Sequence, residues 1–414
     1  MVAVKAYQII RDLIGDPQSL INYVENYLLR ISGVSYVTRE LSDGRTRLIV
    51  QNEYGSAELS INHEVRIRGH EKIRGLLNAI VLRYLGTEGS RKITILLLRK
   101  DNKIYRVDDL PRIQSLPIGL IGFVMISILI LSAAIAVLRI MNLIPSIHLI
   151  IALLLTPLLI PIIYSYILQL RIRRGSLWNS QIIKFTLEYG EFDEGKFNNA
   201  LRFLSRIDNV RSLSEIRKFV LSLVNNPETA PQNFHEDVID IGFIMRRYGI
   251  KYGIYMVNMN QCNAASVGMP GINYVILTSR LVSCLNKDEL LAVIMHEVGH
   301  VVHSDSAKTL FLISLGQFIN IALITYIIPL MRLPAIPILI SALFLELFAI
   351  TFIMKLSEYS ADKYAMRFVP SRDLAMALLR VTWKELYSEL TSRRLRIFST
   401  HPPVLSRLVR MSIV

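Results

Sequence analysis

The stretch "LLAVIMHEVGHVVHSDS" runs from Leu290 to Ser306 and sets His296, Glu297 and His300 inside an otherwise apolar run. On a helix, residues four apart share one face. Both imidazoles can therefore approach one tetrahedral ion, with Glu297 turned beside them to take a proton from an activated water. The apolar flanks predict a buried helix, and low polarity around such a site strengthens the pull of a metal on its water. Read without a metal, the stretch is a buried helix whose histidines are satisfied by hydrogen bonds. Histidine is scarce, eight in 414 residues. An H-E-x-x-H match in such a chain has a chance probability on the order of one in a hundred.

A catalytic zinc site needs a third protein ligand and an open fourth position. Ser306 stands where the longer H-E-x-x-H-x-x-G-x-x-H pattern has its third histidine, and His303 lies too near His300 on the helix to complete the set. The better candidate is "LSEYSADKY", residues 356–364. Glu358 and Asp362 are four apart on an expected helix. Glu358 can bind a metal opposite the histidine pair, and Asp362 can accept the remaining N–H of a ligating histidine. The bland alternative is two acids facing solvent beside Lys355 and Lys363.

Outside these motifs the composition points to a membrane. The chain is 52% hydrophobic with a formal net charge of +14, and its mean hydropathy is +0.40. Those values exceed what an ordinary soluble enzyme shows. Four apolar runs of spanning length with almost no charge occur: 116–138, 143–170, 309–331 and 334–354. Each can cross a hydrocarbon core of about 30 Å. They read as two hairpins. Arg99, Lys100, Lys103, Arg106 and Arg112 precede the first, and Arg171, Arg173 and Arg174 follow it. By the positive-inside rule these flanks are cytoplasmic. Glu346 is the one acid in the fourth run, where a hydrogen bond to Gln317 or Asn320 is expected to satisfy it.

Residues 1–112 read as a soluble α+β domain. Asp16 and Pro17 open a helix, and "VSYVTREL" and "RTRLIVQN" flank "SDG" as a hairpin. "SAELSINHEVRIR" and "KITILLLRK" read as strands around the helix "HEKIRGLLNAIVLRYL". His63 and His70 fall in different elements and carry no metal pair. The N-terminus lacks an uninterrupted apolar core, so no cleaved signal is expected. Residues 171–414 carry the histidine motif, interrupted by the second hairpin. There "SEIRKFVLSLV" and "FHEDVIDIGFIMRRYGI" read as helices, "IYMVNM" and "NYVILTSR" as strands. Cys262 and Cys284 form no C-x-x-C. They read as free thiols of a reducing compartment, with one disulfide as the alternative.

The motifs in order, "HEVGHVVHSD", then two spans, then "EYSAD", then "THPPVLSR", resemble the HtpX-like membrane metalloproteases, which are related to the CAAX prenyl endopeptidases. The resemblance covers about residues 240 to 410. It implies His296, His300 and Glu358 as ligands of one Zn²⁺ per chain and Glu297 as the general base. Asp305 and Asp362 match supporting acids. His401 would help stabilise the oxyanion, with Arg407 pairing to a site carboxylate. "CNAASVGMPGINYVILTSRLV" matches the segment that holds substrate in extended form along a sheet edge, with Asn263 contacting a substrate amide. Two departures stand out: the domain ahead of the first hairpin, and fewer spans than prenyl endopeptidases carry.

The expectation is thus a mostly helical α+β chain: a zincin-type metalloprotease domain with four transmembrane helices and an N-terminal α+β domain. It would sit in the plasma membrane with site and N-terminal domain cytoplasmic. It would cleave peptide bonds of membrane or misfolded proteins and contact lipids, not nucleic acid, for which no binding motif is present. The alternatives are a CAAX-type prenyl endopeptidase and a catalytically inactive membrane scaffold.

Overall fold

The computed structural model describes residues 17–29, 36–42, 45–53, 55–61, 65–85, 90–101, 103–113, 147–190, 193–205, 212–331, 335–391 and 401–411. Helix α1 (Pro17–Leu28) starts on a proline, whose missing N–H costs nothing at the first helical position. Strands β1 (Tyr36–Ser42), β2 (Arg45–Asn52), β3 (Gly55–Ile61) and β4 (Val65–Gly69) form an antiparallel sheet in chain order. The expected hairpin is present, with Tyr36 opposite Gln51 and Ser42 opposite Arg45. "SAELSINHEVRIR" is two strands and not one, with Ile61 opposite Val65. The alternation of Ala57 and Leu59 stops at a polar stretch and resumes at Val65 and Ile67, all four buried. Helix α2 (Glu71–Leu85) and α1 cover that face through Leu20, Val24, Ile73 and Leu77.

Strand β5 (Ser90–Lys100) turns at Asp101 into β6 (Lys103–Arg106). Helix α3 (Ile147–Ile172) follows in the described chain, then β7 (Ser180–Gly190), α4 (Glu194–Leu204), α5 (Leu213–Val224) and β8 (Asn233–Asp240). The sheet order is β6-β5-β7-β8. Ser90 lies opposite Gly190, and Lys100 opposite Ser180. One sheet therefore joins strands from before residue 112 to strands from after residue 171. Helices α4 and α5 pack on it through Ala200, Val220 and Leu223 against Phe185, Leu187 and Tyr189.

The expectation of a helix over 234–250 is corrected. Residues Asn233–Asp240 are strand β8, with Phe234 opposite Leu187 and Ile239 opposite Ile182. Only Ile241–Arg247 is helical (α6), and it starts where Asp240 Oδ1 accepts the Phe243 N–H at 2.8 Å. The apolar residues fit helical spacing, but β7 offers a complete ladder that a helix would leave unpaired.

The chain continues with β9 (Gly253–Val257), β10 (Ala264–Met269), β11 (Ile272–Thr278), α7 (Ser279–Cys284), α8 (Lys287–Val302) and α9 (Asp305–Ala322). After α9 come a π turn (Leu323–Ile327) and a last helical turn (Ile328–Met331). Helices α10 (Ala335–Ala365), α11 (Ser371–Thr391) and α12 (Val404–Met411) complete it. The third sheet runs β10-β11-β9, so β10 is an edge. Pro270-Gly271, with Gly271 at φ 79°, supplies the tight turn between β10 and β11.

Of the four expected spans, 116–138 lies outside the described residues. The run 143–170 corresponds to α3, described from Ile147, and 309–331 to α9 with its continuation. The run 334–354 is part of α10, which extends unbroken to Ala365. Among the described residues, one helix, Pro337–Ala365, is long and apolar enough to cross a membrane by length and composition. Helices α9 and α10 pack together, and Asn320 Nδ2 donates to Glu346 Oε2 at 2.7 Å, as expected for that acid. Gly316 makes room for it: a Cβ there would fall 2.2 Å from Glu346 Cδ.

Candidate metal centre

The helix that carries the histidines, α8, is built to be buried and fixed. Asn286 Oδ1 accepts the Glu289 N–H at 2.8 Å, while Glu289 Oε2 accepts the Asn286 N–H at 3.0 Å. This reciprocal cap satisfies two of the donors a helix start leaves open. Glu289 also meets Arg380 of α11 at 2.8 Å. Leu290, Ala292, Ile294, Met295, Val298 and Val301 are buried around the helix, so it is apolar on most sides. It ends at His303, and Ser304 adopts a left-handed backbone (φ 53°) that turns the chain into α9. That turn returns Asp305 to the histidines.

His296 and His300 lie one turn apart with their Nε2 atoms 3.2 Å from each other. Helix α10 brings Glu358 across from them. Its Oε2 is 3.5 Å from His296 Nε2, and its Oε1 is 3.8 Å from His300 Nε2. All three ligand atoms lie within 4.8 Å of one another. Around a four-coordinate ion with bonds of about 2.0–2.1 Å, neighbouring donors stand roughly 3.3–3.4 Å apart. Two imidazole nitrogens and one carboxylate at these separations therefore fit a zinc-like ion.

The opposite ring nitrogens are also engaged. His296 Nδ1 is 3.0 Å from Asp362 Oδ1 and His300 Nδ1 is 2.9 Å from Asp305 Oδ2. Carboxylates at Nδ1 fix the ring orientation and leave Nε2 to face the centre. Lys308 holds Asp305 from its other oxygen at 3.3 Å. Arg407 of α12 bridges the two acids of α10: Nε and Nη2 reach Asp362 at 2.9 and 2.6 Å, and Nη1 reaches Glu358 Oε2 at 3.0 Å. His401 Nδ1 lies 2.8 Å from Glu358 Oε1, with its side chain half-exposed at 52%. Glu297 is half-buried on the same helix as the histidines.

The field of this cluster keeps the acids ionised. Against the upward push of burial, Arg407 and the His296 and His401 contacts hold Glu358 well below the usual carboxylate range. Burial likewise opposes charge on Asp362, but His296 and Arg407 hold it low. His300 and Lys308 do the same for buried Asp305. On His296, burial disfavours the proton, yet Asp362 and Glu358 push the ring up to about 10. The hydrogen bond to Glu358 raises His401. A centre with more acids than fixed cations is arranged to receive a cation.

Asn263 lies apart from this group, at the entrance of β10. Its Oδ1 accepts the Ala264 N–H at 2.9 Å and its backbone N–H meets Thr278 Oγ1 at 3.2 Å. His303 is not among the metal-holding atoms and packs its ring on Tyr364, centroids 5.8 Å apart. Sequence reasoning missed two glycines that set the spacing. A Cβ on Gly299 would sit 3.1 Å from Ala361 Cα, and one on Gly268 3.0 Å from Val301 Cα. The first lets α10 approach α8, and the second lets the β10 edge lie against it. Their only signal is a small residue facing "SAD" in the one case and a glycine within a strand in the other.

Comparison with known proteins places this region. A family model described as Peptidase family M48 matches residues 232–412. A protease HtpX homolog of Helicobacter acinonychis (strain Sheeba) is 29% identical over 187 residues, 38% of this chain and 60% of that relative. A protease HtpX homolog of Aeropyrum pernix is 41% identical over 70 residues, 16% of this chain and 22% of the relative. The chain thus spans less than two thirds of the curated relatives it matches. Among solved structures, the crystal structure of S. mikatae Ste24p aligns with 19% identity and a TM-score of 0.32, over 52% of this chain and 61% of that one.

Proposed function

We propose that the chain is a membrane-embedded, zinc-dependent endopeptidase of HtpX-like peptidase family M48 type, a reading supported by the family match over residues 232–412 and by the HtpX homologs it resembles. The carrying observation is the approach of His296 Nε2, His300 Nε2 and Glu358 to within 3.2, 3.5 and 3.8 Å of one another, on two helices far apart in sequence. These three residues would hold one zinc ion per chain. When bound, zinc supplies a Lewis acid that polarises a scissile carbonyl and lowers the pKa of a water.

The chain's own residues carry the proton and hold the geometry. Glu297 takes a proton from the attacking water and delivers it to the leaving amine. His401, beside Glu358 and half-exposed, would hydrogen-bond the developing oxyanion. Arg407 holds Glu358 and Asp362 in place and offsets part of their charge. Strand β10 is an edge of its sheet, the place where an extended peptide would add as a further strand. Asn263 marks the entrance of that edge and would contact a substrate amide.

The membrane reading rests on two supports. Exposed apolar side chains crowd the helices: Ile163 and Tyr166 on α3, Phe311 and Phe318 on α9, Leu345 and Phe352 on α10. Faces of this kind suit lipid. Second, residues 112 and 176 are both bridged to the strand region at 255–258, Arg112 to Asn258 and Ser176 to Tyr255. A segment that leaves and re-enters at one sheet must cross a membrane an even number of times. The basic flanks support a centre on the cytoplasmic side. Substrates would be membrane proteins or misfolded proteins presenting extended segments there.

Elemental analysis of the purified protein tests the zinc assignment. One zinc per chain is expected, lost in His296→Ala and Glu358→Ala. A wild type that holds no zinc and cleaves no peptide would contradict the reading.

A further inference from the structure

Where the chain leaves α3 it makes a fixed turn that presents a tryptophan. The exposed apolar side chains of α3 run to Ile167 and Leu170. Arg171, Arg173 and Arg174 follow, all exposed. Gly175 then lies against β9, where a Cβ would collide with Met256 O. Leu177 is buried and donates its N–H to Ile254 O at 2.8 Å. The Ser180 N–H closes back on Leu177 O at 3.1 Å, with Asn179 at φ 53°. Trp178 therefore sits at the tip of a turn pinned on both sides, and it is 51% exposed.

A second aromatic ring is presented beside it. Helix α6 begins against the same turn: a Cβ on Gly242 would sit 3.2 Å from Asn179 Cα, and Arg246 Nη1 reaches Asn179 Oδ1 at 3.4 Å. Phe243 follows Gly242 and is 52% exposed. The Arg247 guanidinium lies 5.9 Å from the centroid of that ring, so a cation is held on its face. Arg246 and Arg247 are both exposed. Asp240 is engaged from both oxygens, by the Phe243 N–H at 2.8 Å and by Gln181 Nε2 at 3.1 Å. Two segments far apart in sequence thus build one corner, with two exposed aromatic rings among exposed arginines. Tryptophan is highly buried on average in soluble proteins. At a membrane–water interface its ring lies among headgroups and keeps the indole N–H wet, and arginines beside it meet anionic lipid phosphates.

We propose that this corner is a membrane-surface anchor. Trp178 and Phe243 insert at the headgroup level of the bilayer that α3 crosses, and Arg173, Arg174, Arg246 and Arg247 gather anionic phospholipids around them. The proposal rests on the membrane reading above and adds that a folded part of the chain outside the long helices lies on the lipid surface. Two observations favour lipid over a protein partner. The corner continues the exposed apolar face of α3, and its charge is complementary to an anionic headgroup layer. The turn is pinned to β9, which shares a sheet with the β10 edge. The anchor therefore sets the height of that edge above the bilayer.

The test uses the full chain reconstituted in vesicles of phosphatidylcholine and phosphatidylglycerol in equal parts, with brominated acyl chains on one lipid at a time. Bromine quenches tryptophan fluorescence at short range. The chain has two tryptophans. Trp178 is read alone in Trp383→Phe, and by difference between wild type and Trp178→Phe. Quenching by brominated phosphatidylglycerol is expected to be roughly twofold stronger than by brominated phosphatidylcholine. It is expected to be stronger for bromine near the headgroup than near the bilayer midplane. Replacing the four arginines together (Arg173→Gln, Arg174→Gln, Arg246→Gln and Arg247→Gln) is expected to equalise the two lipids while quenching persists. An unquenched Trp178, equal quenching by the two lipids before the arginines are changed, or stronger quenching from the midplane would overturn the anchor. A carbonate wash of the same vesicles separates two kinds of failure. A chain stripped from the vesicles overturns the membrane reading itself, whereas a retained chain with unquenched Trp178 overturns the anchor alone.

Discussion

Arg407 grips both carboxylate oxygens of Asp362, Nε to Oδ2 at 2.9 Å and Nη2 to Oδ1 at 2.6 Å. The pair is buried, and its third nitrogen reaches Glu358. The C-terminal helix thereby braces the acid that orients His296 and the acid that faces both histidines. The "THPPVLSR" motif acts on the centre through this contact.

Removing that brace is costly. Arg407→Ala leaves two buried carboxylates without their cation, a change worth roughly 3–5 kcal/mol. The expected result is a lower thermal midpoint in detergent, with partial recovery when zinc is added. Arg407→Lys recovers less than half of the loss, because a lysine cannot make the forked contact. A lysine variant as stable as wild type would remove the forked geometry from the account.

Asp362→Asn keeps the shape of the side chain but removes its charge at His296 Nδ1. Weakening the acid behind a metal-bound histidine lowers metal affinity about 10- to 100-fold. Competition with a zinc indicator dye measures this directly. Asp305→Asn should behave alike through His300. Unchanged affinity in both variants would detach these acids from the centre.

Helix spacing can be tested without touching a ligand. A side chain on Gly299 meets the backbone of Ala361. Gly299→Val therefore pushes α10 away from α8, with an overpacking cost of roughly 1–3 kcal/mol. The larger effect is expected on zinc affinity, since Glu358 moves with α10. A variant that loses stability yet binds zinc normally would show that the centre tolerates wider spacing.

Lys184 gives a pH dependence remote from the metal. Burial lowers its pKa below the usual lysine value, with Asp237 opposing. The unfolded chain then binds more protons than the folded one between the lowered pKa and about 10.4. Stability contributed by this residue is smallest where both states are protonated and grows as pH rises through that window. Relative to Lys184→Met, wild type should gain thermal stability on raising the pH from neutral toward that value. A flat difference would place the ammonium in better-solvated surroundings.

These expectations also mark where sequence reasoning works. The histidine pair is legible because a spacing of four becomes a shared face with no further information. Glu358 is legible only in company, since an acid pair on a helix is common and only the packing of α10 on α8 singles it out. Strand β8 is misread because Phe234, Val238, Ile239 and Ile241 satisfy helical spacing too, and the deciding partner, β7, lies far back in the chain. The joining of β5 to β7 across the two apolar runs at 116–138 and 143–170 has no local signal at all. Gly268, Gly299 and Gly316 act through what they allow to come near, and a lone glycine does not announce its neighbour.

Under the proposed mechanism Glu297 moves the proton, and it can be changed without removing any of the three residues that would hold the metal. The most direct measurement is cleavage of a quenched fluorescent peptide by zinc-loaded wild type and Glu297→Gln, side by side, with bound zinc determined on the same samples. The account predicts equal zinc and a rate lower by about 10²- to 10⁴-fold in the variant. Equal cleavage by both proteins at equal zinc content would contradict it.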